Sequence, residues 1–379
     1  MKQTAKIIST YTGDTSGVCS ALFELGGLIV MHDPSGCNST YSTHDEPRWY
    51  DMDSLVFISG LTEKDAIFGN DEKIISDTVE AAKELNPRFI AIAGTPIPYM
   101  TGCDYDAIAL EIEARSGIPT FGFDTDGMHS YILGASVAFE TYADKMCKPL
   151  PKTPELSINI LGVTPLDFSV NGSSCDMRKV LEKRGIRVNS VWSMGNTFEE
   201  VEGASRATVN LVVSSCGLKS ALLLKKKFGI PFVVGTPYGE KLTEQIAKAI
   251  KSAAKEGKDI YTVGVDSDGE AVIIGESITS LSLAKALSLE KNIGTRVISA
   301  VDASREITAL GCRLAIDEDE IIPLLDGAKY VIADPMYKPI CPTGARFIPL
   351  PHEAFSGRIY RNEIPNLVSG LESFVSNNF

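Results

Sequence analysis

The feature that most constrains this chain is a repeated alternation of short apolar runs, turns rich in Gly, Pro or Asp, and amphipathic helical segments. The run Leu28–Met31, for example, ends in the turn at residues 32–37, and residues 71–85 have the pattern of a helix. Strands of a parallel sheet are buried on both faces and therefore read as continuous apolar runs, while their crossover connections read as helices. The sequence thus predicts an α/β protein built from doubly wound parallel sheets.

The chain of 379 residues is too long for one ordinary hydrophobic core. Residues 148–154 contain three prolines in seven positions, and proline disfavours both helix interiors and central strands. We interpret this segment as a linker. The sequence predicts three α/β domains, over residues 1–150, 155–265 and 266–379.

In doubly wound folds, ligands bind where the strands end, at their carboxyl edge. The loops after the predicted strands are therefore the first places to look for a site. These loops are residues 33–37, 94–104, 164–174, 214–217, 275–277 and 334–341.

Charge and composition exclude several function classes. The formal net charge is −13, which disfavours nucleic acid and anionic membranes as partners, because both require a basic surface. The sequence has no apolar run of about eighteen residues or more and no apolar stretch after its first residues, so we expect no membrane helix, no signal peptide and a cytoplasmic location. In that compartment the eight cysteines are expected to be free thiols or metal ligands instead of disulfides.

Common catalytic motifs are absent from the sequence. It has no GxxxxGK[ST], GxGxxG before a helix, GxSxG, HExxH or CxxC motif, and only four histidines. These absences disfavour nucleotide hydrolysis, tight dinucleotide binding, serine hydrolase chemistry and common zinc sites. A redox cluster held by thiolates is compatible with what remains.

Five segments, in order along the chain, resemble one known family. Residues 32–37, H-D-P-S-G-C, are similar to the H-G-P-x-G-C turn of nitrogenase component 1 subunits, and residues 61–73 are similar to that family's L-x-E-x-D-x-x-F-G-G segment. Residues 93–104 resemble its next strand and loop. Residues 228–231 with 236–239 resemble its middle domain, and a weaker similarity lies at residues 351–357.

The resemblance implies three Rossmann-like domains and oxidoreductase activity. It also implies a homodimer, or a heterodimer with a paralogous subunit, and an ATP-dependent reductase partner with its own iron–sulfur cluster. In the family the cysteine at the position of Cys37 binds an electron-relay cluster, and Gly36 beside it lets the backbone approach that cluster.

The family's other relay cysteines are missing here. One falls on Thr95, with Cys103 eight residues further on, and one falls near Thr12, with Cys19 seven residues further on. A four-iron cluster shared across a homodimer needs two ligands from each chain, and Cys37 with either Cys19 or Cys103 would supply them. An aspartate is a further alternative ligand.

A second metallocofactor is bound in the family by one Cys and one His. The cysteine position falls near Ser214, with Cys216 two residues from that serine, and the histidine position falls one residue from His352. Cys216 and His352 are therefore candidates for a catalytic site. The alternative for each is a structural role, as a buried thiol at a strand end or a packed histidine.

Three functions remain open. The first is a nitrogenase-like reductase of an unidentified substrate, which we do not expect to be dinitrogen because both ligand sets are incomplete. The second is a scaffold or carrier for metallocluster assembly. The third is a component of a tetrapyrrole reductase of the sirohydrochlorin or protochlorophyllide type.

Overall fold

The structure, a computed structural model, describes residues 5–7, 12–36, 45–265 and 269–379. Over these ranges the chain forms three sheets, and every strand pair in them is parallel. The predicted fold class of three Rossmann-like α/β units is confirmed. The strands are β1 (Leu28–Met31), β2 (Val56–Ile58), β3 (Ile90–Ala93), β4 (Thr120–Phe123), β5 (Ser157–Leu161), β6 (Arg187–Val191), β7 (Val209–Val212), β8 (Phe232–Val234), β9 (Ile260–Tyr261), β10 (Ala271–Gly275), β11 (Thr295–Ser299), β12 (Cys312–Leu314), β13 (Tyr330–Ala333) and β14 (Arg346–Pro349).

Helices connect the strands and cover the sheets. The α-helices are α1 (Asp14–Leu22), α2 (Glu63–Phe68), α3 (Asp71–Leu85), α4 (Pro96–Met100), α5 (Tyr105–Ser116), α6 (Tyr131–Lys145), α7 (Pro165–Phe168), α8 (Ser173–Glu182), α9 (Phe198–Glu202), α10 (Leu218–Phe228), α11 (Gly239–Glu256), α12 (Ser277–Lys291), α13 (Arg305–Thr308), α14 (Glu318–Leu324), α15 (Glu353–Ser356) and α16 (Leu367–Asn378).

In each sheet the first strand in the sequence is an interior strand, and later strands are added on both sides of it. The strand orders are β2-β1-β3-β4, β6-β5-β7-β8-β9 and β12-β11-β10-β13-β14. This order creates a switch point in each sheet, between β1 and β3, between β5 and β7, and between β10 and β13. The loops that leave these strand pairs diverge there and open a crevice for ligands.

The core explains the apolar runs of the sequence. Strands β1 and β10 are buried at every position because helices cover both faces of their sheets. Aromatic contacts extend this core from the first unit into the second, since the ring of Tyr142 lies 5.7 Å from that of Phe89 and 6.5 Å from that of Trp192. The first two units therefore share buried apolar surface.

Helices α1 and α6 cross at unusually close range through two glycines. A Cβ atom on Gly134 would lie 1.8 Å from the backbone oxygen of Asp14, and one on Gly17 would lie 2.1 Å from the oxygen of Tyr131. Only glycine allows the two backbones to come this close. The crossing places the N-terminal ends of both helices beside the interior of the molecule.

Some elements were not predicted from the sequence. Helix α1 is buried at nearly every position, so it lacks the polar face that reveals a surface helix. Strand β4 contains Gly122, and a glycine inside a strand weakens the sequence pattern by which strands are predicted. Glycine is required at this position because a Cβ atom on residue 122 would lie 2.5 Å from the backbone oxygen of Tyr105. The residues of both elements are thus set by close packing.

The last helix, α16, packs against the middle unit, where the hydroxyl of Ser369 donates to Asp176 at 2.8 Å. The three sheets fall within the three predicted residue ranges, and the domain limits themselves stay a prediction. None of the helices in the described ranges is long and apolar enough to cross a membrane.

Candidate functional site

The switch point of the first sheet holds the turn that leads to Cys37. The hydroxyl of Thr95 donates to the backbone oxygen of His32 at 2.7 Å, which joins the loop after β3 to the loop after β1. The carboxylate of Asp33 accepts the backbone N–H groups of Ser35 and Gly36, each at 3.1 Å. Ser35 has a φ of 74°, and these hydrogen bonds stabilise that left-handed backbone. The turn is therefore held in a fixed shape up to Gly36, while Cys37 lies outside the described residues.

A groove of about 370 Å³ opens beside this turn. It is lined by His32 and by residues of α2, of the start of α3 and of the loop after α4, including Cys103. The thiol of Cys103 is partly buried, and burial together with the carboxylates of Asp71, Asp104 and Asp124 raises its pKa to about 12. A thiol in this position becomes a ligand once a cation offsets those negative charges.

Cys19 lies elsewhere. It is fully buried on α1 within the apolar core, and burial and the carboxylate of Glu46 raise its pKa far above that of an ordinary thiol. It does not line the groove. Of the two cysteines considered as the second ligand beside Cys37, the geometry supports Cys103 and gives no support to Cys19.

Of the two further predicted cofactor residues, Thr95 has a visible structural role and Gly36 does not. Thr95 is fully buried, begins α4 and uses its hydroxyl to hold His32. A Cβ atom on Gly36 would have no described atom within 4 Å, so nothing in the described part of the chain requires glycine there. Cofactor binding by Thr95 and Gly36 stays a prediction.

The other two switch points meet at a buried carboxylate, that of Asp167, which follows β5. Its Oδ2 atom accepts hydrogen bonds from the hydroxyls of Ser214 at 2.6 Å and Thr164 at 3.1 Å. Its Oδ1 atom accepts from the hydroxyl of Tyr131, at the start of α6. Asp167 thus connects the first unit to the switch point of the second.

The predicted catalytic residues Cys216 and His352 both lie at this junction. The sulfur of Cys216 is fully buried, 3.4 Å from the Ser214 hydroxyl and 3.9 Å from Asp167, and burial followed by the Asp167 charge raises its pKa well above the ordinary value. The Nε2 atom of His352 lies 3.6 Å from Oδ1 of Asp167. The structure therefore brings together two residues that are 136 positions apart in the sequence.

A cavity of about 50 Å³ lies between the second and third units, with Asp167 and His352 in its wall. Glu276, from the switch point of the third sheet, also lines it and accepts the backbone N–H groups of Ile278 and Thr279 at the start of α12. The remaining wall is mostly apolar and includes Phe355. A small ligand there would meet both acidic, hydrogen-bonding groups and apolar side chains.

A second metallocofactor would find no thiolate ligand in this cavity among the described residues. Cys216 is not part of the cavity wall, and residue 214 is serine. The catalytic role of Cys216 and His352 and the second metallocofactor stay predictions.

One cluster was missed from the sequence. The ligand-type atoms of Asp14, Asp126 and His129 all lie within 4.8 Å of one another at the carboxyl edge of the first sheet. Burial raises the pKa of Asp14, while hydrogen bonding to Asp126 raises that of His129. The carboxylate of Asp14 accepts the backbone N–H of Gly127 at 2.7 Å, which ties α1 to the loop after β4. No sequence signal links positions so far apart.

Comparisons with known proteins agree with this architecture. Residues 17–307 match the family model described as nitrogenase component 1 type oxidoreductase. The nitrogenase iron-molybdenum cofactor biosynthesis protein NifE of a Nostoc species is 27% identical over 314 residues, which cover 77% of this chain and 62% of that protein. The nitrogenase molybdenum-iron protein alpha chain of Clostridium pasteurianum is 28% identical over 216 residues, which cover 54% of this chain and 40% of that protein. The chain thus spans less than two thirds of the length of these relatives.

A solved structure described as nitrogenase Cp1 at pH 6.5 has a TM-score of 0.71 to this chain at 18% identity, covering 100% of this chain and 93% of that one. At this identity the likeness concerns the fold. The family match is broader evidence, because it covers well over half of the 379 residues. The chain belongs to the nitrogenase component 1 type oxidoreductases.

Proposed function

We propose that this chain is the cluster-binding and substrate-binding subunit of a nitrogenase-like reductase. The observation that carries the proposal is the groove at the first switch point, where the thiol of Cys103 and the turn before Cys37 lie on the same edge of the sheet. Cys37 and Cys103 would hold an iron–sulfur cluster there. When bound, the cluster would supply one-electron transfer.

The residues around the groove have separate tasks in this proposal. Asp33 fixes the backbone of the turn, and Thr95 fixes the position of His32. Burial and the carboxylates near Cys103 keep the free thiol protonated, so a metal would have to displace that proton on binding. Two ligands from each chain complete a four-iron cluster when two copies meet at this edge.

Electrons would come from an ATP-dependent iron–sulfur reductase, as the family membership suggests. The substrate would bind in the cavity at Asp167 and His352, away from the cluster. The protein would contribute a fixed carboxylate, a histidine and exclusion of bulk water at that cavity.

Iron analysis and EPR after anaerobic reconstitution test the cluster. The parent is expected to hold about two irons per chain, as a four-iron cluster shared by two copies requires. Cys37→Ala and Cys103→Ala are expected to lose that iron, while Cys19→Ala, in the buried core, is expected to keep it. Full iron content in Cys37→Ala would overturn the proposal.

A metallocluster scaffold is the second candidate, favoured by the similarity to cofactor-biosynthesis proteins. A scaffold would release its cluster to an apo-acceptor without reductant and without substrate turnover. A reductase would retain the cluster through cycles of oxidation and reduction. Iron transfer measured with and without an electron donor separates the two.

A further inference from the structure

The cavity between the second and third units has an unused hydrogen-bond donor at its polar end. The Nδ1 atom of His352 accepts the backbone N–H of Ala354 at 3.3 Å, which places the proton of the neutral ring on Nε2. That Nε2 atom is buried and has no hydrogen-bond partner among the described residues. Its nearest carboxylate oxygen, Oδ1 of Asp167, is 3.6 Å away, which is too long for a hydrogen bond. A buried donor without a partner is costly, so this atom favours a ligand that accepts from it.

Two more groups complete the polar end. The hydroxyl of Tyr238 has no hydrogen-bond partner within the described ranges, and Tyr238 lines the same cavity. Among the described residues, Oδ1 of Asp167 accepts from the Tyr131 hydroxyl alone, whereas Oδ2 accepts from Ser214 and Thr164, so one lone pair of Oδ1 is open to a ligand. The cavity therefore offers two donors and one acceptor.

Charge and size restrict the occupant further. Asp167 and Glu276 both lie in the wall, and two carboxylates in a poorly solvated space repel anions. The wall also contains apolar side chains, among them Leu283 and Leu367. The accessible space of about 50 Å³ favours a small molecule.

We infer that this cavity binds a small uncharged organic molecule whose oxygen accepts from His352 and Tyr238 and whose N–H or O–H donates to Asp167, such as a short primary amide or alcohol. The inference rests on the proposed function only in taking this molecule to be the substrate. Binding itself requires neither a cluster nor an electron donor. Ligand binding in the cavity can therefore be tested independently of iron binding at Cys37 and Cys103.

Histidine-selective NMR tests the inference directly, because the chain has only four histidines. In ¹⁵N-histidine-labelled protein, the His352 resonance is identified by its loss in His352→Gln. Propionamide and 1-propanol are expected to shift that resonance in a saturable manner and to leave the exposed His129 unchanged. Propionate, which matches propionamide in size but carries a negative charge, is expected to bind at least about tenfold more weakly.

Variants connect the signal to the cavity. Tyr238→Phe removes one donor without changing the ring, and is expected to weaken propionamide binding about three- to tenfold, the usual net effect of one hydrogen bond. Leu283→Phe is expected to fill the cavity and abolish binding. Leu222→Phe, at a site that is 47% exposed, is the matched control and is expected to bind as the parent does.

Two results would overturn the inference. One is the absence of a His352 shift with both probes up to about 500 mM, several times the dissociation constant of roughly 100 mM expected of so small a ligand at about 0.3 kcal/mol per atom. The other is propionate binding as tightly as propionamide. The same titration on iron-free Cys37→Ala separates the two proposals, because binding retained there supports the cavity whether or not the cluster assignment holds.

Discussion

The Nε2 atom of His352 lies 3.6 Å from Oδ1 of Asp167, and the Tyr131 hydroxyl donates to that same oxygen. One carboxylate thus joins a helix of the first unit, a loop of the second and a turn of the third. The stability of this junction depends on hydroxyl groups that the sequence does not identify.

Tyr131→Phe is expected to lower the free energy of unfolding by about 1.5–3 kcal/mol, because it removes a hydrogen bond to a buried carboxylate. Tyr238→Phe is the control, since its hydroxyl has no partner in the described structure, and its effect is expected to stay within about 0.5 kcal/mol. Urea denaturation followed by circular dichroism measures both. Equal losses in the two variants would contradict the assigned role of Asp167.

Gly134→Ala is expected to destabilise the protein by about 1–3 kcal/mol or to prevent folding, because the added methyl would lie 1.8 Å from the backbone oxygen of Asp14. Gly370→Ala, on α16, is the matched helical control: no atom lies within 4 Å of the added methyl. It is expected to stabilise by about 0.5–1 kcal/mol. Melting temperatures that rise in both variants would show that α1 and α6 are not in close contact.

Arg361→Ala is expected to lower the free energy of unfolding by about 2–4 kcal/mol. The guanidinium binds both carboxylate oxygens of Glu353, whose side chain is 1% exposed, and also donates to the backbone oxygen of Asp45 at 3.0 Å. Burial raises the pKa of Glu353 and Arg361 opposes that rise, so removing the arginine leaves a buried acid unpaired.

Arg187→Ala removes an ion pair in which both side chains are more than half exposed, and its effect is expected to stay within about 1 kcal/mol. Chemical denaturation of both arginine variants provides the comparison. A loss in Arg361→Ala no greater than in Arg187→Ala would count against the buried pair.

His129 gives a pH dependence with a defined sign. Its hydrogen bond to Asp126 raises its pKa in the folded state, with the charges of Asp126, Asp14 and Asp302 adding to the effect. Because the folded-state pKa is raised, protonated His129 contributes its full stabilisation to the fold below the unfolded-state pKa, which is near 6.5. That contribution is lost as pH rises through the pKa of His129 in the folded state.

The parent is therefore expected to exceed His129→Gln in stability at about pH 5.5 and to lose that advantage at about pH 8.5. The side chain is 53% exposed, so solvent screening keeps the difference below about 1 kcal/mol. Denaturation of both proteins at the two pH values measures it. An advantage that grows with pH would have the wrong sign.

Alkylation of the iron-free protein tests the environment of Cys103. Its pKa of about 12 predicts a labelling rate that rises about tenfold per pH unit from neutral pH to about pH 11, because only the thiolate reacts. The exposed Cys175 is the internal reference and is expected to react faster near neutral pH. Peptide mass spectrometry reports both rates, and faster labelling of Cys103 at neutral pH would contradict the acidic groove.

Bound iron is expected to protect Cys103 from the same reagent while Cys175 still reacts. Equal labelling of Cys103 in iron-loaded and iron-free protein would argue against it as a ligand.

Much of the fold follows from local patterns in the sequence. Leu28–Met31 is predicted at its observed limits because strands buried on both faces must be apolar throughout. The helical pattern of residues 71–85 likewise matches the limits of α3, since its buried positions recur with helical spacing. Buried elements such as α1 have no such period, and only close packing at Gly17 and Gly134 reveals why they form.

The candidate site was likewise predicted in part from the sequence and in part only from the tertiary structure. The sequence by itself indicated which loops to inspect, because strand ends in a doubly wound sheet meet at one edge. Its resemblance to the family marked Cys37, Cys19, Cys103, Cys216 and His352 as candidates. Only the tertiary structure separated Cys103 in its groove from Cys19 in the core. It also showed that Asp167, which no motif marks, binds three hydroxyls and faces His352 across the cavity. The physical reason is that burial and hydrogen bonding depend on contacts between distant segments, and the local sequence pattern records only which face of its own strand or helix each residue occupies.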